Sequence, residues 1–77
     1  MFMTNKTPEE VLIRTPYLRL GQLLKMTGLI ATGGEVKTYL QHHVVLVNEQ
    51  PDQRRGRKLY PGDTLMIEGR HFIIRSA

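Results

Sequence analysis

The chain has 77 residues, of which 40% are hydrophobic and 23% are charged, and it carries a net charge of +4 at neutral pH. Its length allows one small domain, which we place at residues 9–77, behind a flexible tail at residues 1–8. There is no cysteine and no apolar run of the ~18 residues that a membrane span needs, which excludes a disulfide scaffold and favours a cytoplasmic protein without a membrane segment.

The first predicted elements are a strand and a short helix. Residues 10–14 form a β-branched run typical of a strand, and Pro16 interrupts it because proline disfavours helical geometry in the residue before it. A helix should begin near residues 17–20 and run to about Thr27, since leucines at spacing i, i+3 and i+4 form one apolar stripe. The stripe consists of Leu20, Leu23 and Leu24, and the cations beside it, which should face solvent, are Arg19 and Lys25.

A second helix should begin after Thr32, which fits a capping box with Glu35. The helical spacing continues at Val36, Tyr39 and Leu40. Lys37 should project from another face of this helix. The pair Gly33-Gly34 lies in the first turn, although a glycine inside a helix costs roughly 1 kcal/mol. The pair therefore serves either the close approach of a phosphate to backbone N–H groups or a tight turn between helices, and the sequence leaves both open.

The second half of the chain predicts strands. Three apolar runs are typical of strands: residues 44–47, 64–68 and 71–75. Residues 48–51 should form a turn, Pro61-Gly62 suits a type II turn, and Gly69-Arg70 suits a type II′ hairpin loop. The order of elements predicts an α+β domain, with two short helices packed on a small, mostly antiparallel sheet of four to five strands.

A dense cluster of positive charge separates two of these strands. It spans Gln53–Lys58, here called the basic loop, and its cations are Arg54, Arg55, Arg57 and Lys58. Like charges at this density are most easily explained by a polyanion that neutralises them, and nucleic acid is the first candidate; the alternative is a solvated charged loop. Arg19, Lys25 and Lys37 could extend the cationic surface along the helices.

Other chemistry finds little support in the sequence. Folded RNA fits better than a single strand, because single-strand binders use stacking aromatics, and most of the few aromatic residues occupy core-like positions. Tyr60, beside the basic loop, is the aromatic that could contact RNA. His42-His43 lacks a partner at ligand spacing, so we expect no metal and no cofactor. No nucleotide-binding loop, nucleophile elbow or catalytic carboxylate pair is present, so we do not expect an enzyme.

Four segments carry a resemblance to a known family: Arg19 to Leu24, Thr32 to Leu40, Val45 to Asn48, and Pro61 to Asp63. In their order and spacing they resemble the S-four-type RNA-binding domain, named after protein four of the small ribosomal subunit. The resemblance covers about residues 17–68, nearly the whole chain. It implies the alpha-L motif, in which two helices pack on a small sheet, and it implies RNA binding.

Within that family the chain is most similar to the short, stand-alone YaaA-like proteins of Gram-positive bacteria. The likeness lies in Gly33-Gly34, in Val47-Asn48-Glu49 and in the run from Arg54 to Leu59. It implies binding to ribosomal RNA during assembly of the large subunit. Two positions depart from the wider family, which often has Ser-Arg in place of Gly33-Gly34 and glycine in place of His43. The first departure removes an expected phosphate contact, which the basic loop could replace.

Three hypotheses follow, from different classes of protein. The first is an RNA-binding module whose partner is structured ribosomal RNA or a pre-ribosomal particle, with no small-molecule substrate. Its expected contacts are Arg19, Lys25, Gly33, Gly34, Lys37, Arg54, Arg55, Arg57 and Lys58. The second is a protein–protein adaptor that binds partners through its sheet. The third, duplex DNA binding, ranks lowest because neither helix carries an obvious set of base-reading side chains.

Overall fold

The structure, a computed structural model, describes residues 8–77, so the predicted tail at residues 1–8 lies, apart from Pro8, outside the described residues. The helices are Leu20–Met26 (α1) and Val36–His42 (α2), and one turn of 3-10 helix at Gly33–Glu35 leads directly into α2. The strands are Glu9–Ile13 (β1), Leu18–Arg19 (β2), Val45–Val47 (β3), Gln50–Pro51 (β4), Lys58–Leu59 (β5), Thr64–Ile67 (β6) and Arg70–Ser76 (β7). None of the helices in this part of the chain is both long enough and apolar enough to cross a membrane.

Five of the strands form one sheet in the order β1-β7-β6-β3-β4. Every neighbouring pair in it is antiparallel except β1 and β7, which run parallel. The remaining two strands, β2 and β5, pair separately as a short antiparallel ribbon. The predicted α+β class, with two short helices and a mostly antiparallel sheet, is therefore confirmed, and the ribbon is an addition.

One face of the sheet and both helices enclose the core. Alternate strand residues are buried, as a half-covered sheet requires: Val11, Ile13, Val45, Val47, Leu65, Ile67, Phe72 and Ile74. They join the predicted leucine stripe of α1 and the predicted apolar positions of α2 in a single cluster. The chain between the helices contributes Ile30 to this cluster. The opposite face of the sheet leaves apolar side chains exposed, among them Leu12 and Met66.

The start of the second helix differs from the expected capping box. The Glu35 carboxylate accepts a hydrogen bond from the backbone N–H of Ala31 at 2.9 Å, and the Thr32 side chain makes no capping hydrogen bond. The α-helix begins at Val36, after the 3-10 turn. The capping-box prediction is therefore wrong in its partners. Two consecutive glycines weaken α-helical geometry, so the chain enters the helix through a tighter turn.

The turns between strands lie at residues with positive φ, and one of them differs from the prediction. The β6–β7 loop is Glu68-Gly69, with φ values of 49° and 77°, and not the predicted Gly69-Arg70. Two consecutive positive φ angles define a type I′ turn, which matches the twist of the flanking strands. Asn48 and Glu49 also have positive φ and join β3 to β4. The turn at Gly62 has φ 99°, as the predicted type II turn requires.

Candidate nucleic-acid interface

A buried aspartate organises the basic loop. Asp52 is only 8% exposed, and its backbone N–H donates a hydrogen bond to the carbonyl of Val45 at 2.9 Å. Its carboxylate accepts two hydrogen bonds from the Arg54 guanidinium, at 3.0 and 2.8 Å. Arg57 Nη1 donates a further bond to Asp52 Oδ2 at 2.6 Å. One carboxylate therefore fixes the guanidinium groups at both ends of the Arg54–Arg57 turn.

These contacts keep Asp52 ionised and leave the loop strongly positive. Hydrogen bonds from the Arg54 side chain, more than any other cause, hold the pKa of Asp52 well below its usual range, while burial opposes this shift. The Arg54 side chain remains 72% exposed despite the ion pair. Only the tertiary structure shows that two of the four loop cations, Arg54 and Arg57, pair with one carboxylate.

The loop packs against the N-terminus of α1 through its backbone. The N–H groups of Leu20 and Gly21 donate to the carbonyls of Arg57 and Arg55, both at 2.9 Å. These N–H groups belong to the first turn of the helix and have no partner within it. Arg19 Nη1 also donates to the Gly56 carbonyl at 3.3 Å. The loop and the helix are therefore held together independently of any ligand.

Gly21 permits this close contact, and sequence reasoning missed it. A Cβ atom at Gly21 would lie 3.4 Å from Val36 and 3.5 Å from the Arg55 carbonyl oxygen. The position is thus filled on one side by α2 and on the other by the loop. A glycine in the first turn of a predicted helix was the available signal, but only the tertiary packing shows what it accommodates.

An open cleft of about 390 Å³ lies where α1, the 3-10 turn and the basic loop meet, here called the first cleft. Its lining brings together predicted site residues from three segments: Arg19 and Lys25, Gly33, and Arg55. None of the described residues that line it is acidic. Gly33 has no positive φ, and a Cβ there would meet nothing within 4 Å. The backbone therefore does not require glycine at this position. Because glycine has no side chain, Gly33 leaves this part of the cleft open.

A second cleft of about 370 Å³ opens on the other side of Arg55. Lys37 and Gln41 of α2 line it together with Gln53, and Lys37 projects away from the core as predicted. Gln53 is fixed by a hydrogen bond from Nε2 to the Leu40 carbonyl at 3.2 Å. Arg55 lines both clefts, so the two concavities share one cation. We call the two clefts together the basic surface.

Not every predicted site residue reaches the basic surface. Arg54 and Arg57 line neither cleft and are held by Asp52, and Gly34 lines neither cleft. Lys58 lies on the ribbon opposite Arg19, with its Nζ 4.9 Å from the centre of the Tyr17 ring. Tyr17 is half-buried. The core positions of Tyr39 and Phe72 are confirmed.

The histidines form no metal site with other described residues. His42 Nδ1 lies 2.9 Å from the Thr38 carbonyl, one turn back in the same helix. His43 stacks on Tyr39 with ring centres 4.1 Å apart, and its Nδ1 is 3.7 Å from the Glu68 carboxylate. No group of three or more His, Asp or Glu side chains within residues 8–77 is placed to hold a metal ion.

Comparison with known proteins agrees with this architecture. A family profile described as S4 domain matches residues 11–75, which include both helices, the 3-10 turn and the strands given above, except the first two residues of β1 and the last of β7. The chain is also similar to the probable ribosome maturation protein RlbA of Bacillus subtilis (strain 168). The two are 54% identical over 57 residues, which cover 74% of this chain and 80% of that protein.

Proposed function

Because the chain belongs to the S4 domain family, we propose that it binds structured ribosomal RNA, alone or in pre-ribosomal particles, and takes part in ribosome maturation. In this proposal it works in the cytoplasm and acts by binding, without catalysing a reaction. The name of the similar Bacillus protein supports the ribosomal part of the proposal. The observation that carries the RNA-binding part is the convergence of Arg19, Lys25 and Arg55 on one cleft without an acidic lining residue in the described chain.

The cations of the basic surface suit phosphates because they are not neutralised. Within residues 8–77, Lys25, Lys37 and Arg55 form no salt bridge, whereas the two arginines of β7 pair with Glu9 and Glu10. Uncompensated cations on a fixed surface release condensed counterions when they meet phosphates, and this release favours binding. Arginine also matches phosphate geometry with its planar fork of donors.

Folded RNA fits the arrangement better than an extended strand. The cations come from α1, α2 and the basic loop, and the backbone hydrogen bonds between α1 and the loop fix their spacing. A rigid, branched set of charges is complementary to phosphates whose own positions are fixed by RNA structure. We therefore expect recognition of RNA shape through the backbone, with little direct contact to paired bases.

The test is a salt titration of the affinity for structured ribosomal RNA. In the variant carrying Lys25→Gln and Arg55→Gln, two phosphate contacts are lost, so affinity should fall and the slope of log K against log salt should become shallower by about 1.4–1.8. Both side chains lack ion pairs in the described chain, so the fold should be unaffected.

A matched control removes two cations elsewhere. Arg70→Gln with Arg75→Gln gives the same net charge but changes the β1–β7 edge, where these arginines pair with Glu9 and Glu10. The control should bind RNA nearly as the unaltered protein does. If both double variants lost affinity and slope equally, total charge would explain binding and the basic surface would have no special role.

Reversing all four loop cations to glutamate, the obvious experiment from sequence, is a poor test. Arg54 and Arg57 hold the buried Asp52 carboxylate, so glutamates in their places would surround it with like charge. Such a variant would lose the loop conformation, and a loss of binding would not distinguish contact from folding.

The outer face of the sheet supports a second candidate, a protein–protein adaptor. Met66 is exposed there and pairs with Leu46 across the strands, and Leu12 is exposed on β1. Exposed apolar side chains on one sheet face suit a protein partner. Affinity purification with and without nuclease separates the candidates, because protein partners that survive removal of RNA would favour the adaptor.

A further inference from the structure

The β2–β5 ribbon presents two aromatic rings and two cations on one face. Leu18 and Leu59 pair across the ribbon and are both buried, so their neighbours along each strand face the opposite way. The outward set comprises Tyr17, Arg19, Lys58 and Tyr60, here called the ribbon platform. Buried leucines thus alternate with tyrosines and cations along both strands of the ribbon.

The rings and charges of the platform contact one another. The Tyr17 and Tyr60 ring centres are 6.0 Å apart, with the planes tilted by 51°. Lys58 Nζ lies 4.9 Å and Arg19 Cζ 5.5 Å from the Tyr17 ring centre, within cation–π range. Tyr60 is 47% exposed. The platform therefore offers solvent an aromatic surface with positive charge beside it.

Side-chain hydrogen bonds fix the backbone under both rings. Thr15 Oγ1 donates to the Tyr17 carbonyl at 2.8 Å. The Tyr60 N–H donates to Asp63 Oδ2 at 2.8 Å, and the Asp63 N–H donates back to the Tyr60 carbonyl at 2.9 Å. A ligand that stacks on these rings would thus bind a surface that is already ordered, so the entropic cost of ordering the protein on binding would be small.

The platform borders an open cleft of about 550 Å³ and continues into the basic surface. Tyr17 and Arg19 line this cleft, and its apolar wall includes Leu12 and Met26, which are 55% and 57% exposed. Arg19 also lines the first cleft. Arg19 therefore connects this aromatic and apolar surface to the cations that the proposed function assigns to phosphates.

We propose that the ribbon platform stacks one unpaired nucleobase of the RNA whose phosphates lie in the first cleft. The inference rests on the proposed function and adds to it a feature of the RNA, a bulged or looped-out nucleotide beside a paired region. A duplex backbone can accept hydrogen bonds from tyrosine hydroxyls but has no apolar face to place on the rings or on exposed Leu12 and Met26. An unpaired base has such a face and an attached phosphate.

The test compares two RNA hairpins, one fully paired and one identical except for a single unpaired adenosine. The protein should bind the bulged hairpin more tightly. The variant with Tyr17→Ala and Tyr60→Ala should bind the bulged hairpin about tenfold more weakly, the usual loss for one stacked base, and the paired hairpin almost unchanged. Its salt slope should not change, since no phosphate contact is lost.

Two further measurements keep the test independent of folding. The variant with Tyr17→Phe and Tyr60→Phe keeps both rings and should retain the preference for the bulge. With the unaltered protein, 2-aminopurine at the unpaired position should lose fluorescence on binding, because stacking on an aromatic ring quenches it.

Equal binding of both hairpins, without quenching, would overturn the platform while leaving the proposed function in place. Equal weakening of both hairpins by the alanine variant would also overturn it, because the rings would then contribute no base contact. Failure of the unaltered protein to bind either hairpin or structured ribosomal RNA would contradict the proposed function itself.

Discussion

At the scale of single residues, one buried negative charge determines the conformation of the basic loop. Asp52 is buried, accepts hydrogen bonds from Arg54 and Arg57, and is tied to β3 through the Val45 carbonyl. Without it, two guanidinium groups would face each other with no counter-charge. Asp52 is therefore the residue that sets the loop conformation, and it lowers the net positive charge of the loop by one unit.

Asp52→Asn should lower both stability and RNA affinity, although it raises the net charge by one. The amide cannot accept three guanidinium hydrogen bonds, and we expect the free energy of unfolding to fall by about 1–3 kcal/mol in urea denaturation. Affinity for structured ribosomal RNA should fall because the loop loses its conformation.

Glu49→Gln is the matched control, since it makes the same charge change at an exposed turn residue. Its stability should stay within about 0.5 kcal/mol of the unaltered protein, and its RNA affinity should be equal or slightly higher. Tighter RNA binding by Asp52→Asn, matching this control, would show that the charge of Asp52 matters more than its hydrogen bonds.

The depressed pKa of Asp52 also predicts how stability depends on pH. A carboxylate with a lower pKa in the folded state stabilises the protein fully above its unfolded pKa of about 4, and this contribution is lost as pH falls toward the folded value. The difference in unfolding free energy between the unaltered protein and Asp52→Asn should therefore shrink as pH falls below about 4. A difference that stays constant down to about pH 3 would show that Asp52 is not ionised through the Arg54 contact.

At the scale of elements, helix α1 and the basic loop behave as one unit. The helix N-terminus takes its hydrogen-bond partners from the loop carbonyls, and Gly21 allows the loop and α2 to approach it. Gly33 differs, because a side chain there would extend into open space in the first cleft. Two glycines near the site thus have different functions, one in packing and one in keeping the cleft open.

Substitutions at the two glycines should separate these roles. Gly21→Leu must push against Val36 and the Arg55 carbonyl, so it should lower the free energy of unfolding by about 1–3 kcal/mol and weaken RNA binding by displacing the loop. Gly33→Ala should leave stability unchanged or raise it by about 0.4–1 kcal/mol, since the backbone there has no positive φ. Thermal melts and RNA titrations of both variants check this, and a stable Gly21→Leu with full affinity would contradict it.

At the scale of the whole molecule, periodic segments were predictable and long-range pairings were not. The stripe at Leu20, Leu23 and Leu24 and the alternating strands determine the core, and both are visible as local patterns. Two-residue strands have no period, so the β2–β5 ribbon could not be predicted. The parallel pairing of β1 with β7 joins opposite ends of the domain, which no local pattern records.

The same division applies to the candidate site. Composition and resemblance pointed to its cations, and the structure places Arg19, Lys25, Lys37 and Arg55 on the basic surface. The ion pairs of Asp52 and the role of Gly21 depend on tertiary contacts and were missed. Tyr60 was singled out as the aromatic that could contact RNA, whereas Tyr17 was not singled out, although its ring lies beside that of Tyr60.

The most direct measurement of the central claim is an NMR titration of the isotope-labelled protein with structured ribosomal RNA. Backbone amides around the basic surface, at Gly21, Lys25, Gly33, Lys37 and Arg55, should shift. Amides on the outer face of the sheet, at Leu46, Met66 and Ile73, should stay in place. Shifts confined to the outer face, with the basic surface unchanged, would contradict the account.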